Sequence, residues 1–533
     1  MSRAPSIVER SRARAATRRA QPAIDTAWPT GPIDLVADAA VRWPERIAAV
    51  DRVRQVTYAE LDRLVDAAAR HLTGGHAAPG APVLLVVQND IASVVAIHAA
   101  LRAGAVALVA PATAGRAQLA DIVDQARPAV TLASGALGDD DALPTTGPGW
   151  RTLESLVAGD LPGGPPVRDA RPADQPSVVI YTSGTTSRPK GVVHSLATLA
   201  AASRNYIEAA ELHDDDRLFV VSPLASITGI LQCITVPALL GARVVLEAKW
   251  DPAATCDLLL TSGGTFFGGP DLLLDRLLDE VESRGDTTTT LGAVYLGGAM
   301  LDPRILRRVE ERFGIVVLRA YGSSEAPIST AGQRAEPRDV RLGDDGAPLG
   351  GVEARRGSRH DPAELCLAGP HLFLGYVDPD DDAHAFETGA DGRDWFCTGD
   401  VADLTGGRVK VVGRIGDIVI RKGLKVPIAE VEGYLQAQPG IARAAGYAVA
   451  DPATGERLAV AVLAEDGATV DFDAVVDGLR AAGLATWKLP EELVIWDAPF
   501  PENATGKVLR PRLEPGGAGR PRLLAPRLRD GEA

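Results

Sequence analysis

The apolar, β-branched run Val178-Val179-Ile180 opens directly into Tyr181-Thr182-Ser183-Gly184-Thr185-Thr186-Ser187-Arg188-Pro189-Lys190-Gly191. This junction restricts the fold more than any other stretch. A buried strand has to end where the hydroxyl and glycine run begins, because those polar groups need partners that an apolar core does not offer. Residues 194–212, beyond the loop, read as a helix. A strand that opens into a Gly/Ser/Thr loop and then a helix is a common cradle for phosphate. Its backbone N–H groups are free, its hydroxyls donate, and the lysine adds charge. It is not the GxxxxGKS/T loop, since no Ser or Thr follows the lysine and the glycine spacing differs.

Strands and helices alternate around this loop. Residues 46–50, 82–87, 108–111, 218–221, 243–247, 293–296 and 315–318 read as strands. Residues 58–72, 91–103, 272–282 and 303–312 read as helices. Such alternation implies parallel sheets in layered α/β units. The Gly/Pro/Asp-rich stretch 138–176 reads as a surface connection. From about residue 350 short strands and turns suggest a β-rich module, and a last unit begins near Arg414. The fold expected is therefore α/β. A large N-terminal region (26–412) carries layered α/β subdomains plus the β-rich module. A small, mobile α+β C-terminal domain spans 413–512.

At 533 residues and 46% apolar composition, several folding units with large cores are expected. The net charge of −15 argues against a nucleic-acid partner, which would call for a basic footprint. Arginine gathers at the ends instead, and residues 1–25 and 513–533 are read as disordered, solvated tails. The first tail resembles a transit peptide in composition but lacks the apolar core of a secretory signal. No run of about 20 apolar residues occurs, so no membrane span is expected. Cys233, Cys256, Cys366 and Cys397 are far apart in sequence and form no CxxC pair or metal-ligand spacing. They are read as reduced thiols of a cytoplasmic protein. Only seven of the 55 basic residues are lysines. In a chain that uses arginine by default, a lysine points to chemistry, and Lys190, Lys422, Lys425 and Lys507 all fall in or beside motifs.

Four further strings carry chemistry. Arg319-Ala320-Tyr321-Gly322-Ser323-Ser324-Glu325 follows a strand. A carboxylate at a strand's C-terminal end, facing a phosphate loop, is placed to hold Mg²⁺ on ATP, and Tyr321 offers a flat face for adenine. By itself the string reads equally as a turn. Leu296-Gly297-Gly298-Ala299-Met300 removes side chains where a ligand could approach the backbone. Trp395-Phe396-Cys397-Thr398-Gly399-Asp400 is followed by Val412-Gly413-Arg414, and Glu502-Asn503-Ala504-Thr505-Gly506-Lys507-Val508 lies near the C-terminus.

In this order, over roughly residues 30–510, the strings resemble the signatures of the adenylate-forming superfamily. That superfamily comprises acyl-CoA synthetases, aryl-CoA ligases, firefly-type luciferases and peptide-synthetase adenylation domains. The resemblance implies that Thr182, Ser183, Gly184, Thr185, Thr186 and Lys190 hold the ATP phosphates. Gly297, Gly298, Ala299, Tyr321, Gly322, Ser323 and Ser324 would edge the nucleotide. It makes Glu325, with Thr185, the magnesium ligands, and gives the ribose hydroxyls to Asp400 and the ribose or phosphate to Arg414. Lys507 would bridge the carboxylate and the α-phosphate. The stretch from Lys422 to Glu432 resembles the loop lining the thiol tunnel, with Gly423 and Lys425 toward CoA. The acid pocket would be lined by Ser226, Phe266, Phe267, Gly268 and Gly298. Implied partners are ATP, Mg²⁺, a carboxylic acid and a thiol acceptor, CoA or a carrier protein. A homodimer is compatible with the chain.

Two positions depart from the family pattern. Ser226 stands where many relatives have histidine, in Pro223-Leu224-Ala225-Ser226-Ile227-Thr228-Gly229. This departure suggests a wider or more polar pocket and a ringed or hydroxyl- or amino-bearing acid. Gly416 stands where the hinge is usually Asp or Lys. Both keep open a non-CoA acceptor, or nitrite- and ATP-dependent diazotisation of an aromatic amine. A non-catalytic nucleotide-binding homologue is a third reading, opposed by the presence of Lys190, Glu325, Asp400 and Lys507 together.

Overall fold

Four sheets organise the described residues. The computed structural model describes residues 33–74, 77–134, 151–153, 165–168, 171–182, 189–285, 289–297, 301, 303–383, 385–390, 392–422, 424–465, 467–502 and 508–529. The first sheet has nine strands, and six of them run parallel: Ile47–Val50, Arg243–Leu246, Arg217–Val220, Phe266–Gly269, Ala293–Gly297 and Val316–Tyr321. The second has seven strands, with Pro82–Val87, Val106–Pro111 and Pro176–Thr182 at its centre and Lys190–Ser195 then Gly375–Tyr376 on one flank.

The two sheets share one core. Helices Tyr58–Thr73, Ile91–Arg102 and Leu196–Ala210 lie between them. Every residue of Ile91–Arg102 is buried, as an almost wholly apolar helix between two sheets must be. Asp90 caps it by accepting from the Ser93 N–H at 2.7 Å. Helices Pro252–Ser262, Asp271–Ser283 and Pro303–Phe313 cover the outer face of the nine-stranded sheet, and Arg116–Ala126 covers that of the seven-stranded one. Strand alternation follows this layering. Ala293 and Tyr295 face the shared core, while Val294 and Leu296 face the outer helices.

A five-stranded antiparallel module follows, centred on Glu364–Ala368 and Asp394–Asp403. The C-terminal domain is a six-stranded sheet carrying helices Ile428–Gln436 and Phe472–Ala481. Among the described residues no helix is long and apolar enough to cross a membrane.

Three expectations need correction. The helix after the phosphate loop starts later than expected, because His194 and Ser195 complete the strand Lys190–Ser195 and Ser195 caps the helix Leu196–Ala210. The loop therefore joins two antiparallel strands, with Thr182 opposite Lys190. The helix N-terminus lies at the far end of that strand, about 17 Å away, so its dipole does not serve the loop. Residues 513–529 are not a tail. Arg522–Leu524 pairs with Glu492–Trp496, and Arg522 and Arg527 reach Glu492, Glu491 and Asp451. Finally, the cysteines do not all stay apart. Cys366 and Cys397 face each other across paired strands, beside Glu387.

Candidate active site

The site gathers where several strands end. Thr182 closes one strand and Lys190 opens the next. Lys190 Nζ lies 3.0 Å from Asp381 Oδ1 and 5.2 Å from the centroid of the Tyr376 ring. The Tyr376 hydroxyl donates to Glu325 Oε1 at 2.8 Å. Burial, then the neighbouring Glu325 charge, pushes that phenol well above its ordinary pKa. Tyr376 pairs with Val192 in the adjacent strand, which sets its ring against Lys190.

Gly322 to Ile328 forms a tight turn after the strand Val316–Tyr321. A Cβ on Gly322 would sit 2.5 Å from the Ile328 backbone nitrogen. Ile328 itself has φ +49°, a strained setting for a β-branched residue. The turn is held from outside. Phe373 N–H donates to the Glu325 carbonyl at 2.8 Å, and His194 Nε2 donates to the Ser324 carbonyl at 2.7 Å. The carbonyl can only accept, so the tautomer carries its proton on Nε2. His194 Nδ1 lies 3.0 Å from Thr198 Oγ1. Burial holds the His194 pKa down to about 4, so the ring is neutral near pH 7.

Asp400 joins two motifs. Tyr321 Oη donates to Asp400 Oδ2 at 2.6 Å, and Arg414 Nε lies 2.9 Å from Asp400 Oδ1. Asp400 and Arg414 are direct partners across antiparallel strands. Burial, then Asp400, raises the Tyr321 pKa well above its usual value. Gly297 ends its strand opposite Ala320 and so borders Tyr321. Ser323 N–H bonds the Ala326 carbonyl inside the turn.

On the acid side the expected residues separate. Ser226 Oγ donates to the Pro223 carbonyl at 2.7 Å and accepts from Gly229 N–H at 3.0 Å. It caps the helix Ile227–Ile230, and its hydroxyl is used within its own turn. Phe266 and Gly268 face the shared core, but Phe267 points to the opposite side of the sheet, among Leu274, Leu277 and Leu278. Phe266 instead meets Tyr206 and Tyr295, neither of which the sequence reading singled out. Tyr376 and His194 were missed for the same reason. Each matters through a partner more than 50 residues away in sequence, Glu325 and Ser324 respectively.

Gly416 lies in the turn Ile415–Asp417 between the two domains. Next to it Asp417 Oδ2 stands 3.5 Å from Arg510 Nε, and Arg510 also engages Glu432. Lys425 is in the strand Leu424–Pro427. Ser183, Gly184, Thr185, Thr186, Gly298, Ala299, Gly423 and Lys507 lie outside the described residues. Glu502 and Val508, paired across a β-bridge, flank the segment that carries Lys507.

Residues 36–377 match the model of the AMP-binding enzyme family, and residues 430–507 match that of the AMP-binding enzyme C-terminal domain. The chain belongs to the AMP-binding enzymes. Among family relatives, a probable CoA ligase of Humulus lupulus is 30% identical, over 85% of this chain and 90% of its own length. A salicylyl-CoA synthase / salicylate adenylyltransferase of a Streptomyces species is 29% identical, over 88% of this chain and 90% of its own. ATP-bound MatB from Rhodopseudomonas palustris superposes with a TM-score of 0.78 at 25% identity, covering 91% of this chain and 99% of MatB. This AMP-binding enzyme is an AMP-forming acid–CoA ligase in type, and that type uses ATP, Mg²⁺ and CoA. The donor chemistry fits a hard cation. Glu325 is a half-buried carboxylate that forms no ion pair among the described residues, and oxygen ligands are what Mg²⁺ takes.

Proposed function

We propose that the enzyme joins a carboxylic acid to ATP, releasing pyrophosphate, and then passes the acyl group from acyl-AMP to the thiol of CoA. The Tyr321–Asp400–Arg414 triangle carries this reading. It presents a ring face, a carboxylate and a guanidinium together, as adenine, ribose hydroxyls and phosphate require. Lys190 and the hydroxyls of Thr182 to Thr186 hold the β- and γ-phosphates, with Lys190 exchanging Asp381 for phosphate. Glu325 and Thr185 would hold Mg²⁺, which offsets negative charge on the phosphates. Lys507 bridges the acid's carboxylate and the α-phosphate, where a compact ammonium can follow an oxyanion that moves.

In the first half-reaction a carboxylate oxygen attacks the α-phosphorus, and the bond to the bridging oxygen of pyrophosphate breaks. Positioning and charge stabilisation do most of the work. In the second, a thiolate attacks the acyl carbonyl and AMP leaves. No protein base is assigned, since a thiol ionises readily enough. Gly416 is the pivot on which the C-terminal domain turns to bring Gly423 and Lys425 to CoA.

The test is incubation with ATP, Mg²⁺, a panel of acids and CoA, with products identified by mass. One AMP and one pyrophosphate per acyl-CoA are expected. ADP and orthophosphate would overturn the reading. Acylation of a carrier protein alone would move the acceptor. Nitrite-dependent consumption of an aromatic amine would replace the acid chemistry.

A further inference from the structure

One short segment, residues 373–382, holds both the carboxylate assigned to the metal and the lysine assigned to phosphate. Phe373 N–H donates to the Glu325 carbonyl at 2.8 Å, and the Tyr376 hydroxyl donates to Glu325 Oε1, also at 2.8 Å. The backbone and the side chain of Glu325 are thus fixed from the same place. Tyr376 is itself set by its backbone. It pairs with Val192, and on either side of it Leu374 N–H donates to the Val193 carbonyl and Val377 N–H to the Gly191 carbonyl. Tyr376 N–H donates to Asp382 Oδ1 at 2.8 Å. Its ring packs edge to face on Phe373, with centroids 4.9 Å apart. The same ring lies 5.2 Å from Lys190 Nζ, which Asp381 holds at 3.0 Å.

The kind of donor matters. An arginine or lysine bonded to Glu325 would orient the carboxylate but offset its charge, and a hard divalent cation needs that charge. A phenol orients the carboxylate and leaves its charge whole. The hydroxyl takes one lone pair of Oε1, and the rest of the carboxylate has no other hydrogen-bond partner among the described residues. Lys190 meets the ring and Asp381, not Glu325, so its ammonium does not offset that charge either. Metal ligands are commonly oriented by an outer partner of this sort, whose loss costs about 10- to 100-fold in metal affinity or activity.

Resting on the ligase reading above, we propose that Tyr376 is a positioning residue for the divalent cation on ATP. Its hydroxyl holds the Glu325 carboxylate for the metal, and its ring sets Lys190 for the phosphates.

The test is calorimetric titration of the full chain with α,β-methylene-ATP, in EDTA and in excess Mg²⁺. The ratio of the two Kd values reports what the metal adds on the enzyme, apart from turnover. Tyr376→Phe keeps the ring, and with it the packing on Phe373 and the contact with Lys190. It should lower the ratio about tenfold or more while the Kd in EDTA stays within about twofold of wild type. Glu325→Gln should lower the ratio by a similar factor, and adding Tyr376→Phe to it should lower it no further, because the two side chains act as one unit. Tyr376→Leu removes the ring as well, and should also weaken binding in EDTA about threefold, the scale of one partly exposed cation–π contact. A merely structural role would weaken binding equally in EDTA and Mg²⁺. That result, or a ratio lowered by Glu325→Gln and unmoved by Tyr376→Phe, overturns this inference and leaves the ligase reading intact. No binding of the nucleotide by the wild type, or a ratio unmoved by Glu325→Gln, overturns the site reading and this inference with it.

Discussion

The nucleotide side and the acid side of this site are built on opposite terms. On the nucleotide side the groups assigned to the ligand are paired, Tyr321 with Asp400, Asp400 with Arg414, Tyr376 with Glu325, and the Ser324 carbonyl with His194, while His371 Nδ1 and Asn205 Oδ1 behind them are not. On the acid side Tyr206, Gln232 and Tyr295 each leave an oxygen unpaired. The contrast follows from the ligands proposed for the two sides. A nucleotide presents the same ring, ribose and phosphates at every turnover, so its receptor can be preorganised within the protein. Around Gly268 the unpaired oxygens are closed off from any water-sized group, so that packing presents no ready-made polar surface to an acid.

The largest effects should separate the two half-reactions. Lys507→Ala should lower adenylation by about 10² or more, the scale of one preorganised charge contact. Thioester formation from supplied acyl-AMP should suffer far less. Equal loss in both steps would break the assignment of Lys507 to the nucleotide side. Gly416→Pro fixes φ near −65° at the proposed pivot. Exchange of pyrophosphate should survive while transfer to CoA falls about tenfold or more, as for a gating residue. Unchanged transfer would place the pivot elsewhere.

Acid pH should disturb the nucleotide side first. Burial holds His194 at about 4 and His371, whose Nε2 lies 2.9 Å from Ser329 Oγ just after the Gly322–Ile328 turn, at about 3, both far below an exposed histidine's 6.5. These are bases with depressed folded pKa values. Their contribution is fully present above about 6.5. It is lost as pH falls from 6.5 toward 4, because the unfolded chain takes up the protons first. At pH 5 each costs roughly 2 kcal/mol. Urea unfolding from pH 7.5 to 5 should show the loss, and KM for ATP should rise before the preference among acids changes. A flat stability profile would contradict neutral burial of these rings.

Much of the fold could be read from local pattern. The strand Pro82–Val87 and the helix Ile91–Arg102 lie where periodicity placed them, because both are buried on every side and carry uninterrupted apolar runs. What failed depended on distant partners. The arginines after residue 510 resembled a solvated tail until Arg522 and Arg527 found Glu492, Glu491 and Asp451. Tyr376 has no local signal, since its position comes from pairing with Val192. Ser226 drew attention by its place in a motif, yet its hydroxyl is used by its own turn.

The smallest predicted effect tests that local role. Ser226→Ala should cost about 1 kcal/mol of stability, as loss of a helix cap does, and leave the preference among acids unchanged. A shift in acid preference would show that the Ser226 hydroxyl meets the acid.

Acid-dependent exchange of labelled pyrophosphate into ATP tests the central claim most directly, in the wild type beside Asp400→Asn. Exchange should require the acid and Mg²⁺, and should fall by about 10² in Asp400→Asn, the scale for removing one aligned charge contact, with the preference among acids intact. Acid-independent exchange, or an Asp400→Asn enzyme with wild-type exchange, would contradict a nucleotide site centred on Tyr321, Asp400 and Arg414.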